Sequence, residues 1–217
     1  MNKILDNLKK AILEYDSVGG QNMARDAIKE GIDPIKALDA LTEGIREVGE
    51  GYNAGRLWLP DLIAAASAMT KIVPILEEEI RKVGKKRKYC GSVVIGTVFG
   101  DVHSIGKAMV STLLTANGFE VIDLGVNIPA EGFIKAINEH RPDILAMSAL
   151  LTTTAPEMRK VIQSLKDFGL EDKVKTMVGG GAITAEFALS VGADGYAPTA
   201  TLAVDVFKEL ANKVKEG

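Results

Sequence analysis

The sequence predicts an α/β fold, a doubly wound five-stranded parallel sheet, preceded by a four-helix bundle. Apolar residues recur at three- and four-residue spacing from Asn2 to about Val83, and after Tyr89 the apolar period changes repeatedly between two and 3.6. A chain of 217 residues with 47% hydrophobic content is long enough to bury one good core or two small ones.

In the first half, breaks near Asp16-Ser17-Val18-Gly19-Gly20, Gly31-Ile32-Asp33-Pro34 and Asn53-Ala54-Gly55 divide the pattern into helices over 2–14, 18–29, 34–52 and 59–80. Asp33 stands as N-cap of the third, with Pro34 in its first turn. The run Gly84-Lys85-Lys86-Arg87-Lys88 reads as a solvated basic linker rather than a nucleic-acid patch, since the chain as a whole carries a net charge of -3. The expected division is a helical domain over 1–84, a linker over 85–88 and an α/β domain over 89–217.

In the second half, strands are expected at 92–98, 120–123, 143–147, 174–178 and 193–196, alternating with helices at 104–117, 130–140, 156–168, 184–190 and 199–214. Pro142 and Asp143 lead into the buried-strand run Ile144-Leu145-Ala146-Met147. The single cysteine, Cys90, excludes a disulfide within the chain and reads as a small core or edge residue, with a reducing cytoplasmic setting. No apolar run reaches membrane-spanning length, so neither a membrane nor nucleic acid is expected as a partner.

Chemistry concentrates where the first strand empties into a loop, Gly96-Thr97-Val98-Phe99-Gly100-Asp101-Val102-His103-Ser104-Ile105-Gly106-Lys107. Ligands of open α/β sheets bind at such strand ends. Asp101 can accept the Nδ1 proton of His103 and leave Nε2 as an oriented ligand or base, and a purely structural loop histidine explains the pair as well. Hydroxyls follow the third strand in Ser148-Ala149-Leu150-Leu151-Thr152-Thr153-Thr154, and glycines follow the fourth in Val178-Gly179-Gly180-Gly181-Ala182. Gly96, Gly100 and Gly106 are too widely spaced for a dinucleotide fingerprint, although Asp123 does end a strand. Gly106-Lys107-Ala108 lacks the hydroxyl of a Walker loop, and a phosphorylation receiver would need clustered acids and a late lysine that are missing.

Asp101-Val102-His103-Ser104-Ile105-Gly106, Ser148-Ala149-Leu150 and Gly179-Gly180 follow one another with the order and spacing of Asp-x-His-x-x-Gly, Ser-x-Leu and Gly-Gly, and on these motifs the sequence resembles the cobalamin-binding family. The resemblance covers nearly the whole chain, because methionine synthase and the small corrinoid proteins of methyl-transfer systems also place a four-helix cap before this domain. It implies a Rossmann-like domain that binds cobalamin or a related corrinoid with its lower base displaced, His103 coordinating cobalt from below and the nucleotide tail in a slot beside the sheet. By the same resemblance Asp101 holds His103, and Thr154 stands where methionine synthase has a serine completing the relay. Ser104 and Ile105 lie inside the motif; Gly106, Gly179 and Gly180 would line the tail slot, Ser148 and Thr152 would offer hydroxyls, and Leu150 would contact the cofactor or pack.

In the helical half, Gly51-Tyr52-Asn53-Ala54-Gly55-Arg56-Leu57-Trp58-Leu59-Pro60 resembles the stretch that covers the upper face of cobalamin, with Tyr52 and Leu59 at the capping positions, Trp58 beside them and Asn53 in place of a glycine. Filling of the bundle core by these three is the other reading. The resemblance implies a methyltransferase cognate corrinoid protein, non-catalytic alone, that cycles between methylcobalamin and cob(I)alamin states. A substrate-specific methyltransferase would load it and a coenzyme M or tetrahydrofolate methyltransferase would unload it, in methanogenesis or acetogenesis, with a corrinoid reductive activase as a further partner. Methylamine, methanol, a methoxylated aromatic or a quaternary amine could be the donor; methylamine is preferred, with no single diagnostic residue. The alternatives are a B12-dependent sensor, which would call for a signalling domain, and the cobalamin subunit of a mutase, which the helical cap disfavours.

Overall fold

The computed structural model describes residues 2–84 and 89–216, so the expected basic linker over 85–88 lies outside the described residues. The chain separates into two compact units, Met1–Lys88 and Tyr89–Gly217.

The first unit contains α1 (Asn2–Leu13), α2 (Ser17–Lys29), α3 (Pro34–Asn53) and α4 (Leu59–Lys82). Helix α1 packs on α2 and α3, and α4 packs on the same two, which closes a four-helix ring. Local chemistry sets the ends: Asp33 Oδ1 accepts the Ile35 N–H at 3.0 Å ahead of Pro34, and Asp16 Oδ1 accepts the Gly19 N–H at 2.9 Å. The core stripe combines Leu8 and Ile12 of α1, Leu38, Leu41 and Ile45 of α3, and Leu62, Ile72 and Leu76 of α4, all buried. Against the sequence expectation, one helix among the described residues, Leu59–Lys82, is long and apolar enough by length and composition to cross a membrane. The reason is that an alanine-rich bundle helix passes the same test: its residues Leu62, Ala65, Ala68, Met69, Ile72, Leu76 and Ile80 are buried, and it packs on α2 and α3.

The second unit alternates β1 (Ser92–Thr97), α5 (Ile105–Ala116), β2 (Glu120–Asp123), α6 (Ala130–His140), β3 (Ile144–Ser148), α7 (Pro156–Asp167), β4 (Lys175–Gly179), α8 (Ala185–Val191), β5 (Gly195–Tyr196) and α9 (Ala200–Glu216). All strand pairs are parallel, in the order β2-β1-β3-β4-β5. The chain runs outward from β1 to β2 and then returns to the other side at β3, so the topological switch falls between β1 and β3.

Alternation along β1 sends Val93 and Ile95 to one face, where Phe119, Phe207 and Leu210 meet them, and Val94 to the other, where Phe133 and Leu145 lie. Gly96 is required by that second face, because a Cβ there would stand 2.8 Å from Phe133 Cε1. Two strands are shorter or later than expected because aspartates take over ladder positions. Asp143 Oδ2 accepts the Ser92 N–H at 2.6 Å, so β3 begins at Ile144. Asp194 Oδ2 accepts the Thr176 N–H at 2.8 Å, which leaves only Gly195 and Tyr196 as β5. Cys90 is exposed rather than a core residue: it precedes β1, donating its N–H to Gly118 O at 2.8 Å and accepting Lys215 Nζ at 2.7 Å on its carbonyl.

Candidate cofactor site

The switch point is built around one buried carboxylate. Asp101, with no exposure, follows β1 by four residues, and both of its oxygens are saturated. Oδ1 accepts the His103 N–H at 3.0 Å and contacts His103 Nδ1 at 2.7 Å. Oδ2 accepts Thr154 Oγ1 at 2.7 Å, the Leu150 N–H at 2.8 Å and the Leu151 N–H at 3.3 Å, all from the segment after β3. Burial alone would push this carboxyl up, but the His103 amide, the Thr154 hydroxyl, the Leu150 amide and the imidazole outweigh it and hold the group well below the usual carboxylate range.

An ionised Asp101 is acceptor-only, so the proton between it and His103 belongs to Nδ1, an arrangement that in a neutral imidazole leaves the lone pair on Nε2. The His103 side chain is 46% exposed, against none for its carboxylate partner. A buried anion therefore fixes the tautomer of an imidazole that opens to the surface, which is what a metal-ligating histidine needs. Among the described residues no group of three or more His, Cys, Asp and Glu side chains could hold a metal by itself.

The surroundings suit a large apolar group. Phe99 and Val102 on the His103 loop, Ile105 at the start of α5, and Leu150 and Leu151 on the facing loop are all exposed. Exposed large apolar side chains gathered at the strand ends are the kind of surface that a ligand or partner covers. Gly106, in the first turn of α5, has nothing within 4 Å of where its Cβ would stand. Gly180 is the opposite case: at φ +115 its Cβ would lie 2.1 Å from Ala149 O, so the missing side chain lets the loop after β4 close against the one after β3. These features fit a planar cofactor with an appended tail.

Of the residues singled out in the sequence, Asp101, His103, Leu150 and Thr154 come together directly, Leu150 through its amide rather than its side chain. Ser148 ends β3 in register with Thr97 and Gly179, and Thr152 is exposed in the turn that follows. Ser104 precedes α5 without a side-chain cap bond, and Ile105 is exposed. Tyr52 and Leu59, at the end of α3 and the start of α4, are half-buried; Trp58 is 75% exposed and so is not a core residue. Sequence reasoning passed over Phe99, Val102 and Leu151, for which the available signal was large apolar residues in loops. It also passed over the ion pair between the buried Lys107 and Asp123, which occupies the acid at the end of β2.

Two family models match, both described as B12 binding domains, one over residues 91–205 and the other over 4–77. The chain is 39% identical to the trimethylamine corrinoid protein of Methanosarcina barkeri, over 97% of each. It is 43% identical to dimethylamine corrinoid protein 2 of Methanosarcina acetivorans, over 86% of this chain and 87% of that one. Among solved structures, the methanol:cobalamin methyltransferase complex MtaBC from Methanosarcina barkeri matches with a TM-score of 0.87 and 32% identity, covering 97% of this chain and 80% of that one.

Proposed function

Because the chain belongs to the B12-binding corrinoid protein family, we propose that it holds a corrinoid at the switch between β1 and β3 and carries a methyl group from one methyltransferase to another. The observation that carries this reading is the pairing of a buried Asp101 with a half-open His103 inside a rim of exposed apolar side chains.

When bound, the corrinoid supplies a redox-active cobalt that can take up and release a methyl group. The chain's own work is positional. His103 Nε2 would hold the cobalt, and Asp101 would hold the ring in the tautomer that leaves that nitrogen free. Thr154 and the Leu150 amide stabilise the Asp101 charge and so keep the carboxylate ionised and acceptor-only toward His103. Phe99, Val102, Ile105, Leu150 and Leu151 would offer the ring apolar contacts, and the open space at Gly106 with the closed turn at Gly180 would leave room for the tail. Gly179, Ser148 and Thr152 belong to the same strand ends as candidate tail contacts. On the helical unit, Tyr52, Trp58 and Leu59 are proposed as cofactor contacts, and the exposure of Trp58 supports a role outside the bundle core.

A methylamine is the proposed donor class, since relatives at 39% and 43% identity are trimethylamine and dimethylamine corrinoid proteins. The partners are then a substrate-specific methyltransferase and a second one serving coenzyme M or tetrahydrofolate. The test reconstitutes the chain with hydroxocobalamin, reduces it, and supplies a trimethylamine, dimethylamine or methanol methyltransferase with its substrate. Methylation of the bound corrinoid, followed by stoichiometric appearance of methylated thiol or folate with the second enzyme, is the expected result. Tight corrinoid binding with no methylation by any donor system would overturn the carrier reading and favour a sensor.

A further inference from the structure

The imidazole of His103 is oriented by Asp101, but the position of its ring also depends on the backbone that carries it, and that backbone is clamped from outside the motif. Thr97, the last residue of β1, has no exposure, and its Oγ1 donates to the carbonyl of His103 at 3.0 Å. The His103 peptide is thus held on both sides, its N–H by Asp101 Oδ1 and its C=O by Thr97. The start of the loop is held by Asn127, from the turn after β2. Asn127 Oδ1 accepts the Gly100 N–H at 2.7 Å, and its own N–H donates to the Asp101 carbonyl at 3.0 Å.

Asn127 lies in the left-handed region at φ +58, as does Gly100 at φ +78. Asn is the side chain that tolerates this conformation best after glycine. Were the turn its only task, glycine would serve there; the side-chain oxygen bonded to Gly100 is what asparagine adds. The turn is itself fixed to β1, because Ile128 N–H donates to Thr97 O at 2.9 Å. Thr97 therefore touches both the His103 loop and the turn bearing Asn127.

We propose that Thr97 and Asn127 are positioning residues for His103, fixing the height and tilt at which its imidazole meets the cofactor's metal. The proposal rests on the corrinoid reading above, and the experiment separates the two. Thr97→Val removes the hydroxyl at nearly constant shape, Thr97→Ser keeps it, and Asn127→Gly removes the amide while leaving the left-handed backbone relaxed. Each full-length variant is reconstituted with hydroxocobalamin, and three quantities are measured: corrinoid bound per chain, the absorption signature of imidazole against water in the lower position, and amide hydrogen exchange at His103 in the cofactor-free protein.

The expected result for Thr97→Val is a ligation equilibrium weakened about fivefold, the effect of one lost hydrogen bond. His103 exchange should be faster by a similar factor, with corrinoid stoichiometry unchanged. Thr97→Ser restores both, and Asn127→Gly shifts both in the same direction. An unchanged ligation signature and unchanged exchange in Thr97→Val and Asn127→Gly would overturn the proposal, as would equal shifts in Thr97→Val and Thr97→Ser. Absence of corrinoid from the wild-type chain would instead sink the cofactor reading, with the exchange measurement still deciding whether the clamp exists.

Discussion

Thr154 Oγ1 donates to Asp101 Oδ2 at 2.7 Å, joining the segment after β3 to the loop after β1 across the topological switch. The same hydroxyl lies 3.0 Å from Leu151 O, and its single proton goes to the ionised acceptor, where a charge-assisted bond is stronger. The threonine methyl, which restricts the rotamer, does not prevent the contact. Hydroxyl, carboxylate and imidazole consequently form one chain from a buried interior to an open nitrogen.

Removal of that hydroxyl should cost more than a surface bond. Thr154→Val leaves an Asp101 oxygen short of a donor in a buried place, and the expected loss is about 1.5–3 kcal/mol of stability in the α/β unit, while Thr154→Ser loses less than about 1. Urea unfolding of the cofactor-free variants, followed by circular dichroism, checks the ordering.

Asp101 supplies the pH dependence. Its folded pKa is held below the unfolded value, so the unfolded chain takes up the proton first. The stability it contributes is present above the unfolded carboxylate pKa of about 4 and is lost as pH falls through that value toward the folded one. Cofactor-free wild type should exceed Asp101→Asn in stability near neutral pH, where the carboxylate is ionised in both states. The margin should shrink steadily below about pH 4 in thermal unfolding. A margin independent of pH down to about 3 would contradict it.

Two glycines should respond oppositely to alanine. Gly180→Ala drives a Cβ to 2.1 Å from Ala149 O at φ +115 and should lower Tm sharply. Gly106→Ala meets nothing within 4 Å and stands in a helix, where alanine is favoured by about 1 kcal/mol, so the cofactor-free protein should be as stable as wild type or more so. Corrinoid affinity should nevertheless fall in Gly106→Ala by at least about tenfold if the tail occupies that space, a loss of about 1.4 kcal/mol readable by equilibrium titration.

The Lys107–Asp123 pair should be asymmetric. The Lys107 side chain is buried, while Asp123 is 38% exposed and also accepts the Gly125 N–H at 2.8 Å. Asp123→Ala strands a buried ammonium and should cost about 3–5 kcal/mol. Lys107→Met leaves an anion that water can reach and should cost clearly less. Paired denaturation curves would contradict this reading if the two losses were equal or reversed.

Much of this arrangement was legible in the sequence because side-chain patterns carry it. The switch from a 3.6 period to alternation marked out the helical unit and the five parallel strands; Asp101 and His103 stood out by residue type and spacing, and Thr154 through the resemblance to the cobalamin-binding family. The contributions of Leu150 and Leu151 were not legible, because their amides do the bonding and an amide is the same in every non-proline residue. Thr97 and Asn127 were hidden for a related reason: each acts on a peptide group brought near only by the parallel sheet. Strand ends shifted where Asp143 and Asp194 replaced backbone partners, which periodicity cannot register.

The central claim is that this chain presents His103 to a bound corrinoid, and the most direct measurement is the absorption spectrum and cobalt content of wild type and His103→Ala, each reconstituted with hydroxocobalamin and freed of excess. Both proteins should hold about one corrinoid per chain, with the imidazole-ligated signature in wild type and its loss in His103→Ala. Substoichiometric binding by wild type, or identical spectra for the two proteins, would contradict it.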